Sequence, residues 1–171
     1  MRFKLTRELC YISGLAGRTH WPERSRIGIR TTNGAVEERF VEYAVRLGVL
    51  PNKMVVAYEG SFVTAYFYHS RIARTVHELM GMRASLAGKR NGLAEAFIAG
   101  TFDANGHVLP DTISIRGLQS SDVLLLERMG IHTSGSRVRN ISTFLALIKG
   151  MSVMLEQSKL SGAGSAKRSA Q

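Results

Sequence analysis

The sequence predicts an α+β protein built from two related halves, and three observations carry that prediction. The first is a doubled string of small and apolar residues. Ile12-Ser13-Gly14-Leu15-Ala16-Gly17-Arg18-Thr19-His20 lies near the start, and Ile98-Ala99-Gly100-Thr101-Phe102-Asp103-Ala104-Asn105-Gly106 lies past the middle, with Gly14 and Gly100 standing 86 residues apart. The second is that the same offset lays Arg26-Ile27-Gly28-Ile29-Arg30 on Thr112-Ile113-Ser114-Ile115-Arg116 without a gap. The third is a helix in each copy with a matching end: Arg46-Leu47-Gly48-Val49 and Arg128-Met129-Gly130-Ile131.

The elements follow in order. Small residues recur in both doubled strings, Ser13, Gly14, Ala16 and Gly17 in the first and Ala99 and Gly100 in the second. Residues 26–30 and 112–116 alternate apolar and polar side chains, the pattern of a half-buried strand. Ile27, Ile29, Ile113 and Ile115 are expected to point inward, with Arg26, Arg30 and Arg116 on the other side. Helices are expected over residues 35–47 and 121–129, each stopped by a glycine that accepts the left-handed conformation. The glycines at 48 and 130 are 82 residues apart, so the second copy is four residues shorter in this region. Residues 53–58 and 61–68 read as a hairpin turning at Glu59-Gly60. A further helix is expected over 70–82, from the spacing of Ile72, Val76, Leu79 and Met80. In the second half, residues 132–140 supply one strand, so one strand of the corresponding pair is shortened or missing. Residues 141–160 read as mainly helical, with Ser142 or Thr143 as N-cap. The halves then occupy residues 1–86 and 92–160, with a linker at 87–91 and a flexible basic tail at 161–171.

Composition narrows the function. The chain has 171 residues, 44% of them hydrophobic, and a net charge of +10 from 23 basic and 13 acidic residues. That imbalance favours a polyanion, with nucleic acid the first candidate. No apolar run reaches the ~18 residues needed to cross a bilayer, and no membrane partner is expected. The basic start, Met1-Arg2-Phe3-Lys4-Leu5-Thr6-Arg7, leads straight into the first doubled string and is read as part of the mature fold. One cysteine, Cys10, permits no internal disulfide and is expected as a small buried hydrophobe. There is no zinc spacing, Gly-rich phosphate loop or nucleophile elbow.

The two doubled strings resemble the signature motif of the LAGLIDADG homing endonucleases and maturases. The resemblance covers nearly the whole chain. It implies two pseudo-symmetric αββαββα-like halves, the second shortened, with the motif helices packed side by side and the sheets forming a saddle over a nucleic-acid duplex. The first hairpin would then lie around residues 22–32. Gly14, Gly17, Ala99 and Gly100 would sit at the interface between halves. The outward residues Arg26, Arg30, Lys53, Arg116, Arg137 and Arg139 would contact nucleic acid, either structured RNA or duplex DNA. The implied particle is a monomer with an internal pseudo-dimer. It would be cytoplasmic, or in a mitochondrial or plastid matrix if organelle-encoded.

The resemblance fails where the family cuts. Its second motif acid binds the catalytic metal, and those positions here are Thr19 and Asn105. Asp103 fills the first acidic position, which is structural in the family, and is expected to satisfy backbone N–H groups near the turn. No catalytic residue, metal or cofactor is therefore assigned, and a non-cleaving binder is expected. It would act as an RNA-binding or ribonucleoprotein component, with other proteins of that particle as partners, or as a splicing component. In the alternative, an active DNA endonuclease uses Mg²⁺ through altered ligands; no spacing marks Glu23 or Asp111 for that part. His20 and His107, beside the motif ends, suit surface or phosphate contact better than catalysis. Trp21 either packs on a sheet edge or stacks on a base, and Tyr58, Tyr66 and Tyr68 divide between core and a stacking surface.

Overall fold

The computed structural model describes residues 4–17, 25–89 and 91–157. Its first half runs α1 (Arg7–Ala16), β1 (Arg26–Thr31), α2 (Gly34–Arg46), β2 (Met54–Glu59), β3 (Phe62–Tyr68) and α3 (Ser70–Met82). The second runs α4 (Leu93–Asn105), β4 (Gly106–Leu109), β5 (Thr112–Ile115), α5 (Ser120–Arg128), β6 (Thr133–Ser134), β7 (Arg137–Val138) and α6 (Ile141–Ile148). The second half thus shows the complete αββαββα order. An 86-residue offset puts the counterpart of β4 at positions 20–23, so the hairpin expected around 22–32 falls partly outside the described residues.

Each half has one antiparallel sheet. The first is ordered β1-β3-β2 and the second β4-β5-β7-β6. One face of each turns inward: Ile27, Ile29, Ala65 and Phe67 in the first, Ile113, Ile115 and Val138 in the second, all buried. Phe40 of α2 stacks on Phe67 at 5.6 Å between centroids, fixing that helix beneath the first sheet. Gly48 (φ +87°) and Gly130 (φ +76°) end α2 and α5 in the left-handed region, as their positions predicted.

The two motif helices, α1 and α4, pack against each other at the centre. A Cβ added to Gly14 would lie 2.1 Å from the Phe97 carbonyl oxygen, and one added to Gly100 would lie 2.1 Å from that of Tyr11. The contact is reciprocal, because Tyr11 and Phe97 are themselves 86 residues apart. Only hydrogen fits at either place, so the close approach demands glycine. Ala99 is also fully buried. Gly17 behaves differently: a Cβ there would meet Met80 Sδ of α3, within its own half, at 2.5 Å.

Several local expectations need correcting. Lys53 ends a 3₁₀ turn (Pro51–Lys53) rather than opening a strand, because Pro51 starts that turn. Residues 132–140 form two strands of two residues each, not one, so the pair is shortened and complete. Asn140, not Ser142 or Thr143, is the N-cap of α6. Its side chain accepts from His132 N at 2.9 Å and donates to Gly130 O at 2.7 Å, tying the short hairpin to α5. The helix breaks at Gly150 (φ +77°), and a second helical segment occupies 153–157. The expected linker is structured at its start, where a 3₁₀ helix spans Arg83–Gly88. Arg83 in that turn is buried and donates to Asp122 at 2.6 Å, to Gln119 at 2.5 Å and to the Met80 carbonyl.

Candidate nucleic-acid interface

Register decides which side chains share a face, since residues opposite one another on antiparallel strands point the same way. In the first sheet Arg26 faces Tyr68, Gly28 faces Tyr66 and Arg30 faces Thr64. On the other side of β3, Tyr66 faces Val55, Thr64 faces Ala57 and Phe62 faces Glu59. These residues form the face turned away from α2. Its charged groups are paired with neighbours. The Arg26 guanidinium lies 3.7 Å over the Tyr66 ring, and that of Arg30 lies 4.6 Å over Phe62. Arg30 also meets Glu59 at 3.7 Å, an exposed pair of little energetic weight. Tyr66 and Tyr68 meet edge to face at 5.7 Å. Tyr58 faces Val63, so it belongs to the opposite side from Tyr66 and Tyr68, and it is 74% exposed at the sheet edge.

The outward face of the second sheet has different chemistry. His107 faces Ser114, Ser114 faces Arg137 and Arg137 faces Ser134, giving one polar row across all four strands. Leu109 and Thr112 make the row beside it. Arg116 and Arg139 follow directly on β5 and β7, and both are exposed. Of the six cations expected at the interface, Arg26 and Arg30 lie on the first outward face and Arg137 on the second. Arg116 and Arg139 flank the second. Lys53, in its 3₁₀ turn, precedes β2. Phe62, Val55, Ser114 and Ser134 escaped the sequence reading, although the alternation Phe62, Thr64, Tyr66, Tyr68 carried the signal for the aromatic row.

At the motif ends, Thr19, His20, Trp21 and Glu23 lie outside the described residues. Asn105 closes α4 half-buried, and its carbonyl accepts from Arg116 N at 2.9 Å. It lines a cavity of about 180 Å³ with Leu15, Ile29, Arg30 and Asp103. Asp103 is 5% exposed, and both its oxygens are engaged. Oδ2 accepts from the Tyr11 hydroxyl at 2.6 Å and from Val153 N at 2.9 Å. Oδ1 accepts from the Ser152 hydroxyl at 2.5 Å and Met154 N at 3.2 Å. Asp103 therefore does satisfy backbone N–H groups, but those of the distant segment 153–157 rather than of its own turn. Burial raises its carboxyl above the ordinary range, against the pull of those four hydrogen bonds. Burial and the Asp103 charge likewise raise Tyr11. Cys10 is fully buried, its thiol pushed up to about 12 by desolvation and the nearby Glu8.

A divalent metal of the kind homing endonucleases use does not fit this motif end. A hard cation such as Mg²⁺ takes charged oxygen ligands. Asn105 offers a neutral amide, and the Asp103 oxygens already accept from four protein donors. Asp111 sits at the far turn of the β4–β5 hairpin, beyond the four residues of β4, which carry the chain about 13 Å from the motif end. Among the described residues no three His, Cys, Asp or Glu side chains cluster as a metal would require.

Comparison with known proteins places this geometry. No family model matches the sequence, and no curated protein matches it. Solved structures do. Mesophilic variants of the homing endonuclease I-DmoI align with a TM-score of 0.64 over 84% of this chain and 96% of theirs, at 12% identity. I-DmoI in complex with DNA and Mn aligns with a TM-score of 0.62 over 86% and 98%, at 13% identity. I-DmoI in complex with DNA and Ca aligns with a TM-score of 0.61 over 85% and 91%, at 12% identity. The chain has the homing-endonuclease fold, with two pseudo-repeat halves. Its likeness to I-DmoI, at these identities, is one of architecture.

Proposed function

We propose that this chain binds nucleic acid on the outward faces of its two sheets and does not cut it. The state of Asp103 carries the reading. It is the one acid left in either motif, and its hydrogen bonds commit it to anchoring segment 153–157. Thr19 and Asn105 bring no charge to the two positions where the family binds metal. A basic chain carrying Arg26, Arg30, Arg116, Arg137 and Arg139 on or beside the outward faces keeps the means of holding a polyanion. The ligand is structured RNA, and the setting is a ribonucleoprotein, ribosome-associated or concerned with splicing. The two-residue strands β6 and β7 support this, because they leave the second sheet little length for reading a long DNA target.

I-DmoI structures holding DNA with Mn or Ca support a second reading, metal-dependent cleavage of DNA through altered ligands. The experiment is to purify the full chain, sequence the nucleic acid that travels with it, and incubate that ligand with Mg²⁺ or Mn²⁺. The expected result is binding without cleavage. Metal-dependent cutting that Asn105→Ala abolishes overturns the non-cleaving reading. Arg116→Ala with Arg137→Ala is expected to flatten the salt dependence of binding by about one unit of log–log slope per lost phosphate contact. An unchanged slope would place the ligand elsewhere on the molecule.

A further inference from the structure

The two outward faces are built for different parts of one ligand. The second is a polar row of His107, Ser114, Arg137 and Ser134, groups that hydrogen-bond to phosphate and sugar. The first is largely aromatic. Phe62 is 41% exposed, Tyr68 42% and Val55 39%, and register puts all three on the face with Tyr66. Phe62 and Val55 cannot hydrogen-bond to a phosphate or to a base edge. The cations on this face lie over rings, Arg26 on Tyr66 and Arg30 on Phe62. Glu59, ion-paired to Arg30 and opposite Phe62, adds a negative charge to this face, which repels phosphate.

Rings and guanidinium planes on an open sheet are what an unpaired base stacks upon. A base inside a duplex already has both faces covered and gains nothing there. Arg26, Tyr66 and Tyr68 make one stacking point and Arg30 with Phe62 a second. Four residues of β3 separate Tyr66 from Phe62, or about 13 Å. We infer that the first-half sheet is a stacking platform for unpaired nucleobases, so that the chain takes a nucleic acid with a single-stranded segment beside a helix. The inference rests on the nucleic-acid reading above and names the part of the ligand that each half holds. Stacking is common to RNA and single-stranded DNA, and contacts to the 2′-hydroxyl would separate the two.

The test is fluorescence anisotropy of the full chain with three labelled probes: a blunt duplex, an RNA stem–loop and a DNA stem–loop of the same sequence. The stem–loops are expected to bind at least about tenfold tighter than the duplex. Phe62→Ala with Tyr68→Ala is expected to weaken stem–loop binding about tenfold or more, with the duplex affinity and the salt slope unchanged. Tyr68→Phe keeps the ring and is expected to keep the affinity, which separates stacking from loss of fold. The RNA stem–loop is expected to bind tighter than the DNA one, and the reverse order overturns the RNA reading while leaving the platform standing. Equal affinity for duplex and stem–loops, with no effect of the double substitution, overturns the platform and leaves nucleic-acid binding standing. Failure of every probe to bind at low salt overturns the binding reading itself.

Discussion

Substituting Gly14 by alanine tests the central helix pair most directly. The added methyl would sit 2.1 Å from the Phe97 carbonyl oxygen and 2.8 Å from Thr101 N, where ordinary contact begins at 3.4 Å. The obstacle is backbone on a packed helix, so no side chain can rotate away. The helices must separate by roughly the 1.3 Å shortfall between those distances. Overpacking costs about 1–3 kcal/mol where side chains can yield, and a backbone clash belongs at or above the upper end. Alanine returns about 1 kcal/mol in helix propensity, leaving a net loss of about 2 kcal/mol or more. For a domain of this size that lowers the melting temperature by about 4–8 °C. Gly100→Ala meets the reciprocal obstacle, the Tyr11 carbonyl at 2.1 Å, and is expected to cost as much. One separation relieves both clashes, so the double variant should lose clearly less than the sum of the two. Urea denaturation of the four proteins measures the cycle. A Gly14→Ala protein within about 0.5 kcal/mol of wild type, or strictly additive losses, would refute the backbone-contact argument.

Three further outcomes follow from buried groups. Arg83→Met strands the Asp122 carboxylate in a site where both side chains are under a tenth exposed, and is expected to destabilise by about 3–5 kcal/mol in urea titration; a loss under about 1 kcal/mol would mean that solvent reaches the pair. Asp103 has its folded carboxyl raised above the ordinary 3.8, so its contribution to stability is full below that value and is lost as the pH climbs through the folded value. The stability of wild type minus that of Asp103→Asn should therefore fall as pH rises from 3 toward neutrality, and a rising difference would reverse the assignment. Cys10, buried and with its thiol near 12, should react with a thiol reagent at neutral pH only at the rate of global unfolding; prompt modification of the native protein would show that α1 opens locally.

What the sequence discloses here is mostly what depends on near neighbours. Ile72, Val76 and Leu79 predict α3 because helical spacing is local, and the glycines at 48 and 130 stop their helices by their own backbone freedom. Alternation also put Arg26 and Arg30 on one face. The misses are non-local. Two strands of two residues leave no periodic trace in 132–140, and their pairing is fixed by Asn140 reaching back to residues 130 and 132. Nothing near Arg83 in the sequence marks it for burial, and only a partner 39 residues away, Asp122, makes that burial tolerable. In the candidate site, the arginines were legible as charge. Their stacking on Tyr66 and Phe62 was not, because it depends on how β1 and β3 align.

The halves diverge where packing lets them. Along α1 and α4 the reciprocal contacts Gly14 with Phe97 and Gly100 with Tyr11 hold both copies to one solution, because neither helix tolerates a side chain there. One turn further on the constraint ends. Asp103 has Gly17 as its counterpart 86 residues earlier. The acid holds segment 153–157, while the glycine leaves room for Met80. The outward sheet faces are freer still, since among the described residues each sheet packs mainly on elements of its own half. There the same register carries Tyr66 opposite Gly28 in one copy and Arg137 opposite Ser114 in the other. A symmetric pair of sheets would suit a ligand with two equivalent arms. Two faces with unlike chemistry, hung on a helix pair that remains symmetric, suit a ligand whose parts differ, and that difference is what the duplex and stem–loop probes measure.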